Sequence, residues 1–493
     1  MMSLTTIRSR KLIPGLGGAC LGGIYTFISQ ASVFAVTDDY RLIRFARVLR
    51  PFILEGHARA EAETGRVLPG LLFKIIWFGV DDISDLWTVR LIGIVLVGIS
   101  VVVFLSWLAT SLKTIPPRTQ VLLFTVGFLA MVLPGVSATT TWATKTTHLM
   151  AIPLAMFAGV LATRPYMGTW RWTTVTLLIL LSVFSYQHFA LLPTLPVALS
   201  AVLGGSISDR GRQLKRVGLV IAIGLFALIC NVIFVRVINP GQLDRITGRP
   251  LSNRLAELID VAGKGAHLFV SKSVFALMIT LLLIAATVIV SIWVDSKSWK
   301  VLIGIVAASG CSVLITFGAD GDSSYRMILP TQLTIWLGLG ALAIKSSVKS
   351  RTPLDGRWTL LTTVLITTAL LTAVDARRVV GEDITGRNQN DWIRTNCYID
   401  KALSQESPRE IVARLIPVEL TGPHAVHSEV GLLASHLEWL FLDQWNLAIT
   451  TSPERSLLLE VPLRVIGASE ELPPQRANSY VIDLRLPCNA ESD

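Results

Sequence analysis

Apolar and polar positions in this chain alternate on one dominant length scale. Long apolar runs are separated by short polar segments that hold most of the Lys, Arg, Asp and Glu. About 20 apolar residues carry a helix across the hydrocarbon core of a bilayer. About eleven stretches fit that length: 12–36, 88–110, 120–137, 148–163, 172–186, 188–204, 217–237, 268–294, 300–317, 327–344 and 358–374. The run 66–80 is apolar but short and holds Pro69, Gly70 and Lys74, which predicts an interfacial or re-entrant helix. Past residue 375 charged residues, Pro and turn residues become frequent. Helical periodicity at 393–415 and 428–446 gives way to strand-like runs at 457–466 and 479–486. The expected architecture is an α-helical polytopic membrane domain, 1–374, followed by a small α/β domain, 375–493.

Composition agrees with the pattern. The chain is 52% hydrophobic and 16% charged, against about 25% charged in soluble domains. The net charge of +10 raises nucleic acid as a partner, but no basic tail and no basic-aromatic module is present. Lys and Arg instead alternate between loops. Arg8, Arg10 and Lys11 precede the first span. Lys113 and Arg118, Arg164 and Arg171, Arg210 to Arg216, Lys297 and Lys300, and Lys345 to Arg357 fill every second loop. The positive-inside bias places these in the cytoplasm, so the N-terminus is expected inside and the C-terminal domain outside. The first apolar stretch is too long for the 7–15-residue core of a signal peptide and is expected to remain.

Five cysteines are present. Cys20, Cys230 and Cys311 fall in apolar runs, where cysteine packs as a small hydrophobe. Cys397 and Cys488 both fall in the expected outer domain, where an oxidising compartment favours a disulfide. No metal-type spacing appears, and no cofactor is identified.

The bilayer centres of the expected spans are almost free of ionisable residues, whereas ion-coupled transporters keep carboxylates there. The unusual polar residues cluster at the outer ends. Asp38, Asp39, Tyr40 and Arg41 directly follow the first span, and Arg44, Arg47, Arg50, Arg59 and Arg66 continue that loop. Adjacent carboxylates beside a low-dielectric surface suit general-base work, and an Asp also suits a helix N-cap there. Arg41 and Arg44 share a helical face, and guanidinium groups match phosphate oxygens; a solvated amphipathic helix is the plainer alternative. Tyr186, Gln187 and His188 form an outer hairpin. Asp322, Tyr325 and Arg326 mark the head of a late span. No nucleotide-binding loop, dinucleotide fingerprint, zinc motif or nucleophile elbow is found.

These residues resemble a known family. The Asp38-Asp39-Tyr40 motif after the first span, Gly65-Arg66-Val67-Leu68, Ser185-Tyr186-Gln187 and Tyr325-Arg326 together are similar to polytopic GT-C glycosyltransferases. More narrowly, they resemble bacterial O-antigen glucosyltransferases that use polyprenyl-phosphate glucose. The resemblance covers residues 10–345. It implies a GT-C-like fold, a polyprenyl-phosphate-sugar donor, an envelope glycan acceptor and a bacterial inner-membrane location. It also implies inversion at the anomeric centre, with Asp38 or Asp39 as catalytic base. Substrate contacts are then expected from Tyr40, Arg41, Arg44, Arg66, Tyr186, Gln187, His188, Asp322, Tyr325 and Arg326. Two rival functions stay open: a transporter or flippase for a lipid-linked sugar, and an assembly subunit of an envelope complex.

Overall fold

The computed structural model describes residues 4–30, 35, 39, 42–43, 56, 58–77, 79–80, 82–112, 115–165, 168–203, 207–239, 262–263, 266–269, 274–319, 325–349, 356–378, 380, 387–404, 410–414, 438–449, 458, 461–466, 479–483 and 488. The main helices are α1 (Leu4–Ile28), α2 (Val67–Ile76), α3 (Leu86–Ser111), α4 (Pro117–Val132), α5 (Pro134–Thr141), α6 (Ala151–Ala162), α7 (Thr169–Val183) and α8 (Thr194–Leu203). They continue as α9 (Ile207–Ile238), α10 (Val274–Val294), α11 (Trp299–Ala319), α12 (Tyr325–Lys349), α13 (Gly356–Ala376), α14 (Arg387–Ser404) and α15 (Glu438–Ile449). A 3₁₀ segment, Ala143–Met150, leads into α6.

Among the described residues, seven helices are long and apolar enough to cross a membrane: Ile83–Ser111, Ala143–Ala162, Gly211–Ile238, Phe275–Val294, Ser296–Ile315, Ile328–Val348 and Gly356–Ala376. The pair α4 and α5, bent by 45°, makes an eighth if it is one span. Three more apolar helices, Ile13–Ile28, Thr169–Val183 and Gln187–Leu203, are shorter. Each stretch predicted from sequence falls on one of these elements. The run 66–80 becomes α2, whose 10 residues are too few to cross.

Two devices organise the bundle. The first is glycine. α1 packs against α3 and α4, and its Gly18 lies against the backbone carbonyl of Phe124, where any Cβ would collide. On the facing helix a Cβ at Gly127 would meet the Gly15 carbonyl oxygen at 2.7 Å. Small residues let two backbones approach where lipid offers no hydrophobic drive. The second is the bend. Pro134 begins α5, where its missing N–H costs least. The next donor, Gly135 N–H, is met by Gln332 Oε1 at 2.7 Å, and Gln332 Nε2 donates to the His267 carbonyl at 3.2 Å. α12 thus satisfies the opened backbone from inside the bundle. It packs on α4, α5, α10 and α11. Its buried hydroxyls are also answered, Ser346 by Ser298 at 2.7 Å and Ser347 by Thr119 at 3.0 Å.

The C-terminal unit carries a parallel three-stranded sheet of β1 (Glu410–Arg414), β2 (Leu463–Ile466) and β3 (Ser479–Asp483), in the order β2-β1-β3. Ile411 lies opposite Leu463 and Tyr480. Tyr398, Ile399, Ile411, Phe441, Trp445 and Ile482 join one core between sheet, α14 and α15. β1 corrects the sequence reading, which had helix through 415. Ile411, Val412 and Ala413 are buried together, and so short an apolar run has no period that separates strand from helix. Cys397 and Cys488 are bridged, with Cα atoms 6.2 Å apart, inside the usual disulfide range. Leu447 of α15 and Trp392 of α14 also pack with Phe73, Trp77, Ile83 and Leu86. The C-terminal unit therefore sits at the same end of the bundle as the first long loop.

Candidate functional site

The site is built on that end by fastening the first long loop to two distant elements. Residues 58–63 are helical and end in a turn at Thr64 and Gly65. Gly65 has φ +80°, which only glycine adopts without strain, and a Cβ there would meet Asn231 Oδ1 at 2.5 Å. Asn231 of α9 donates to the Gly65 carbonyl at 2.7 Å. Gln187 Nε2 donates to the Thr64 carbonyl at 2.9 Å and to Asn231 Oδ1 at 3.1 Å. Leu68 N–H donates to the Phe184 carbonyl at 3.2 Å. A loop from residues 58–68, a hairpin at 184–187 and the end of α9 are locked together.

Inside this frame lies a compact polar cluster. Glu61 Oε2 stands 3.0 Å from His148 Nε2 and 3.6 Å from an Arg66 guanidinium nitrogen. The Tyr186 ring stacks on His148 with centroids 5.2 Å apart and planes within 6°. Arg66 lies over the Tyr186 ring, 5.3 Å from its centre, and His188 flanks the same ring at 4.7 Å. Burial alone would push the Glu61 carboxyl up. The facing His148, then Lys145 and Arg66, outweigh burial and hold it well below the usual carboxylate range. Glu61 is therefore an ionised organiser and a poor proton acceptor. A narrow cavity beside the cluster is lined by Thr139, Lys145, His148, Leu149, Tyr186, Phe189 and Leu329. Its free volume of about 10 Å³ is that of about one water.

Asp39 is tied to the segment that carries His148. It is fully buried, and its Oδ1 accepts the Thr144 N–H at 2.9 Å. Thr144 is the second residue of the 3₁₀ segment, which ends two residues past His148 at Met150. At about 2.0 Å rise per residue, the anchor points of Asp39 and Glu61 lie about 8 Å apart along one short segment. Arg90 Nε donates to the Thr141 carbonyl at 3.0 Å. Gln30 donates to the Ser137 carbonyl at 2.9 Å and to Thr140 Oγ1 at 3.0 Å. These bonds fix where that segment starts. Arg66 Nε and the hydroxyls of Thr144 and Thr146 are buried and make no hydrogen bond among the described residues.

Of the sequence-predicted residues, Arg66, Tyr186, Gln187 and His188 converge here, and Asp39 is anchored on the 3₁₀ segment that carries His148. Gln187 directs its amide into the framework. Asp38, Tyr40, Arg41, Arg44 and Asp322 lie outside the described residues. Tyr325 and Arg326 begin α12, and their side chains are likewise outside. Asp82 and Asp85 form a capping box that starts the apolar helix Ile83–Ser111, with bonds of 2.7 and 2.9 Å, a structural duty. Sequence reasoning passed over Glu61, His148 and Asn231 and gave Lys145 no role in the site. His148 carried a usable signal, an ionisable residue at the head of an apolar run. Glu61 carried none, because it looks like any acid in a charged loop. Compared with known protein families and with curated proteins, the chain matches none.

Proposed function

We propose that this chain is a GT-C-type glycosyltransferase of the bacterial inner membrane. In this reading it moves a sugar, glucose by resemblance, from a polyprenyl-phosphate carrier to an envelope glycan at the outer face. The chain crosses the membrane eleven times, with the N-terminus cytoplasmic and the C-terminal unit outside. The observation that carries the reading is that one short 3₁₀ segment anchors both a buried carboxylate, Asp39, and, through His148, a cluster of basic and aromatic groups.

The chemistry follows from those groups. Asp38 or Asp39 takes the proton of an acceptor hydroxyl as its oxygen attacks the anomeric carbon. The carbon–oxygen bond to the carrier phosphate breaks, and the configuration inverts. Negative charge grows on the leaving polyprenyl phosphate. Arg66, with Arg41, Arg44 and Arg326 from the same end of the sequence topology, supplies forked donors to it. Glu61 and His148 hold Arg66 and Tyr186 in place. A flippase for the same lipid would use the arginines but would not need a base, and an envelope assembly subunit would need neither.

The test is transfer from polyprenyl-phosphate glucose by Asp38→Asn and Asp39→Asn. A general base typically supplies about 10²–10⁴-fold in rate, so one of the two variants should fall by that much. If both keep more than about a third of wild-type transfer, the base assignment is lost. Absence of any one-sugar mass difference in envelope glycans between cells with and without the protein would favour the flippase or assembly readings.

A further inference from the structure

A second cavity lies at the other end of the bundle. It is lined by Pro165, Gly168, Trp172, Arg212, Lys215, Arg216 and Leu219 and holds about 550 Å³. Its place follows from α9. The Asn231 end of that helix touches the polar cluster around Gly65, while Arg216 lies 15 residues earlier, about 22 Å along the axis at 1.5 Å per residue. The two sites thus face opposite membrane surfaces. The segments that line the cavity carry Arg164 and Arg171, and Arg210, Arg212, Lys215 and Arg216, which the Lys/Arg bias assigns to the cytoplasm.

The cavity is built. Arg216 is buried and its guanidinium donates to the Thr163 carbonyl at 3.2 Å and to the Pro165 carbonyl at 2.9 Å. Thr163 is held in turn by Trp107 Nε1, which donates to its hydroxyl at 2.9 Å. Arg216 thereby fixes the wall at Thr163 and Pro165. Arg212 and Lys215 are exposed at the opening, and no carboxylate lines it among the described residues. Gly168 precedes the N-terminus of α7, whose first N–H groups favour an anion. Trp172 and Leu219 supply an apolar side, and Trp170, on the same helix as Trp172, is 79% exposed, as suits a tryptophan at the depth of lipid headgroups.

We propose that this cavity binds the phosphate headgroup of an anionic phospholipid in the cytoplasmic leaflet. Arg212 and Lys215 contact the phosphate, Arg216 shapes the wall, and the acyl chains run along Trp172 and Leu219. Fixed cations beside an apolar wall at membrane depth select a charged lipid over a zwitterionic one. A basic residue near an anionic membrane surface contributes about fivefold in binding, and two contribute about thirtyfold.

The full chain in neutral-detergent micelles, titrated with phosphatidylglycerol or phosphatidylcholine and read by native mass spectrometry, tests this. Phosphatidylglycerol should bind at one saturable site, and R212A/K215A should weaken it about thirtyfold. Both residues are exposed, so the fold should persist, which the unfolding temperature checks. K300A removes another cation assigned to the same surface but outside the cavity, and it should change nothing. Equal retention of phosphatidylcholine, an unaffected double variant, or an equal loss in K300A would each overturn the proposal. So would displacement of the lipid by millimolar inorganic phosphate, which would mark a free-anion site.

Discussion

Glu61 and Arg66 show how one buried residue sets the terms for its neighbours. Glu61 is ionised because His148, Lys145 and Arg66 surround it. Removing one member of a buried ion pair leaves an uncompensated charge, at about 3–5 kcal/mol, so Glu61→Gln should lower the unfolding temperature clearly. Its pH signature follows from the sign of the shift. A carboxyl held low when folded adds stability above its unfolded pKa of about 4.3, and that stability is lost as pH falls through the depressed folded value. Wild type in detergent should therefore lose stability below about pH 4.3, and the loss should be smaller in Glu61→Gln. Identical slopes for the two would remove Glu61 from the account. Arg66→Ala addresses binding. Losing a charge-assisted hydrogen bond costs about 1.5–3 kcal/mol, about 10- to 150-fold in donor affinity. Unchanged binding of polyprenyl-phosphate sugar would return Arg66 to a purely structural part.

At the scale of elements, close contact between helices decides more than apolarity does. α1 meets α4 through glycine on both sides. Gly18→Val would force a side chain into the Phe124 backbone and separate the two helices. Overpacking of a close-packed core costs about 1–3 kcal/mol, and here the obstacle is backbone, so the upper end applies. The variant should give aggregated or unfolded protein on size-exclusion chromatography, whereas Gly17→Ala, facing only the Phe124 ring at 3.7 Å, should behave as wild type. Equal behaviour of the two would mean the interface is looser than the structure has it. The α4–α5 bend is the companion case. Pro134 opens the backbone there, and one amide, Gln332, closes the account of donors and acceptors.

For the whole molecule, the arrangement makes topology measurable. The C-terminal unit rests on the segment between α1 and α3 through Leu447 and Trp392. Wherever that segment is, the unit is on the same side. Leu420→Cys should react with an impermeant maleimide in intact cells, and labelling only after permeabilisation would invert the molecule and move the proposed active site to the cytoplasm. The Cys397–Cys488 bridge spans 91 residues, a closure that stabilises by about 4–5 kcal/mol in the chain-entropy model.

The amino-acid pattern by itself determined the multi-pass helical class, the position of each apolar helix and the change of character after 375. Those follow from length and periodicity, which are local. It also marked Cys397 and Cys488, and Asp39, Arg66 and the 186–188 hairpin as unusual, because polar groups at a membrane boundary need partners. It could not separate β1 from a helix, since the parallel pairing that makes Ile411–Ala413 a strand comes from residues 463–466 and 479–483. Nor could it find Glu61 beside His148, or Arg212 beside Trp172. Those neighbours are far apart along the chain, and only the packing of helices brings them within hydrogen-bonding distance or around one cavity.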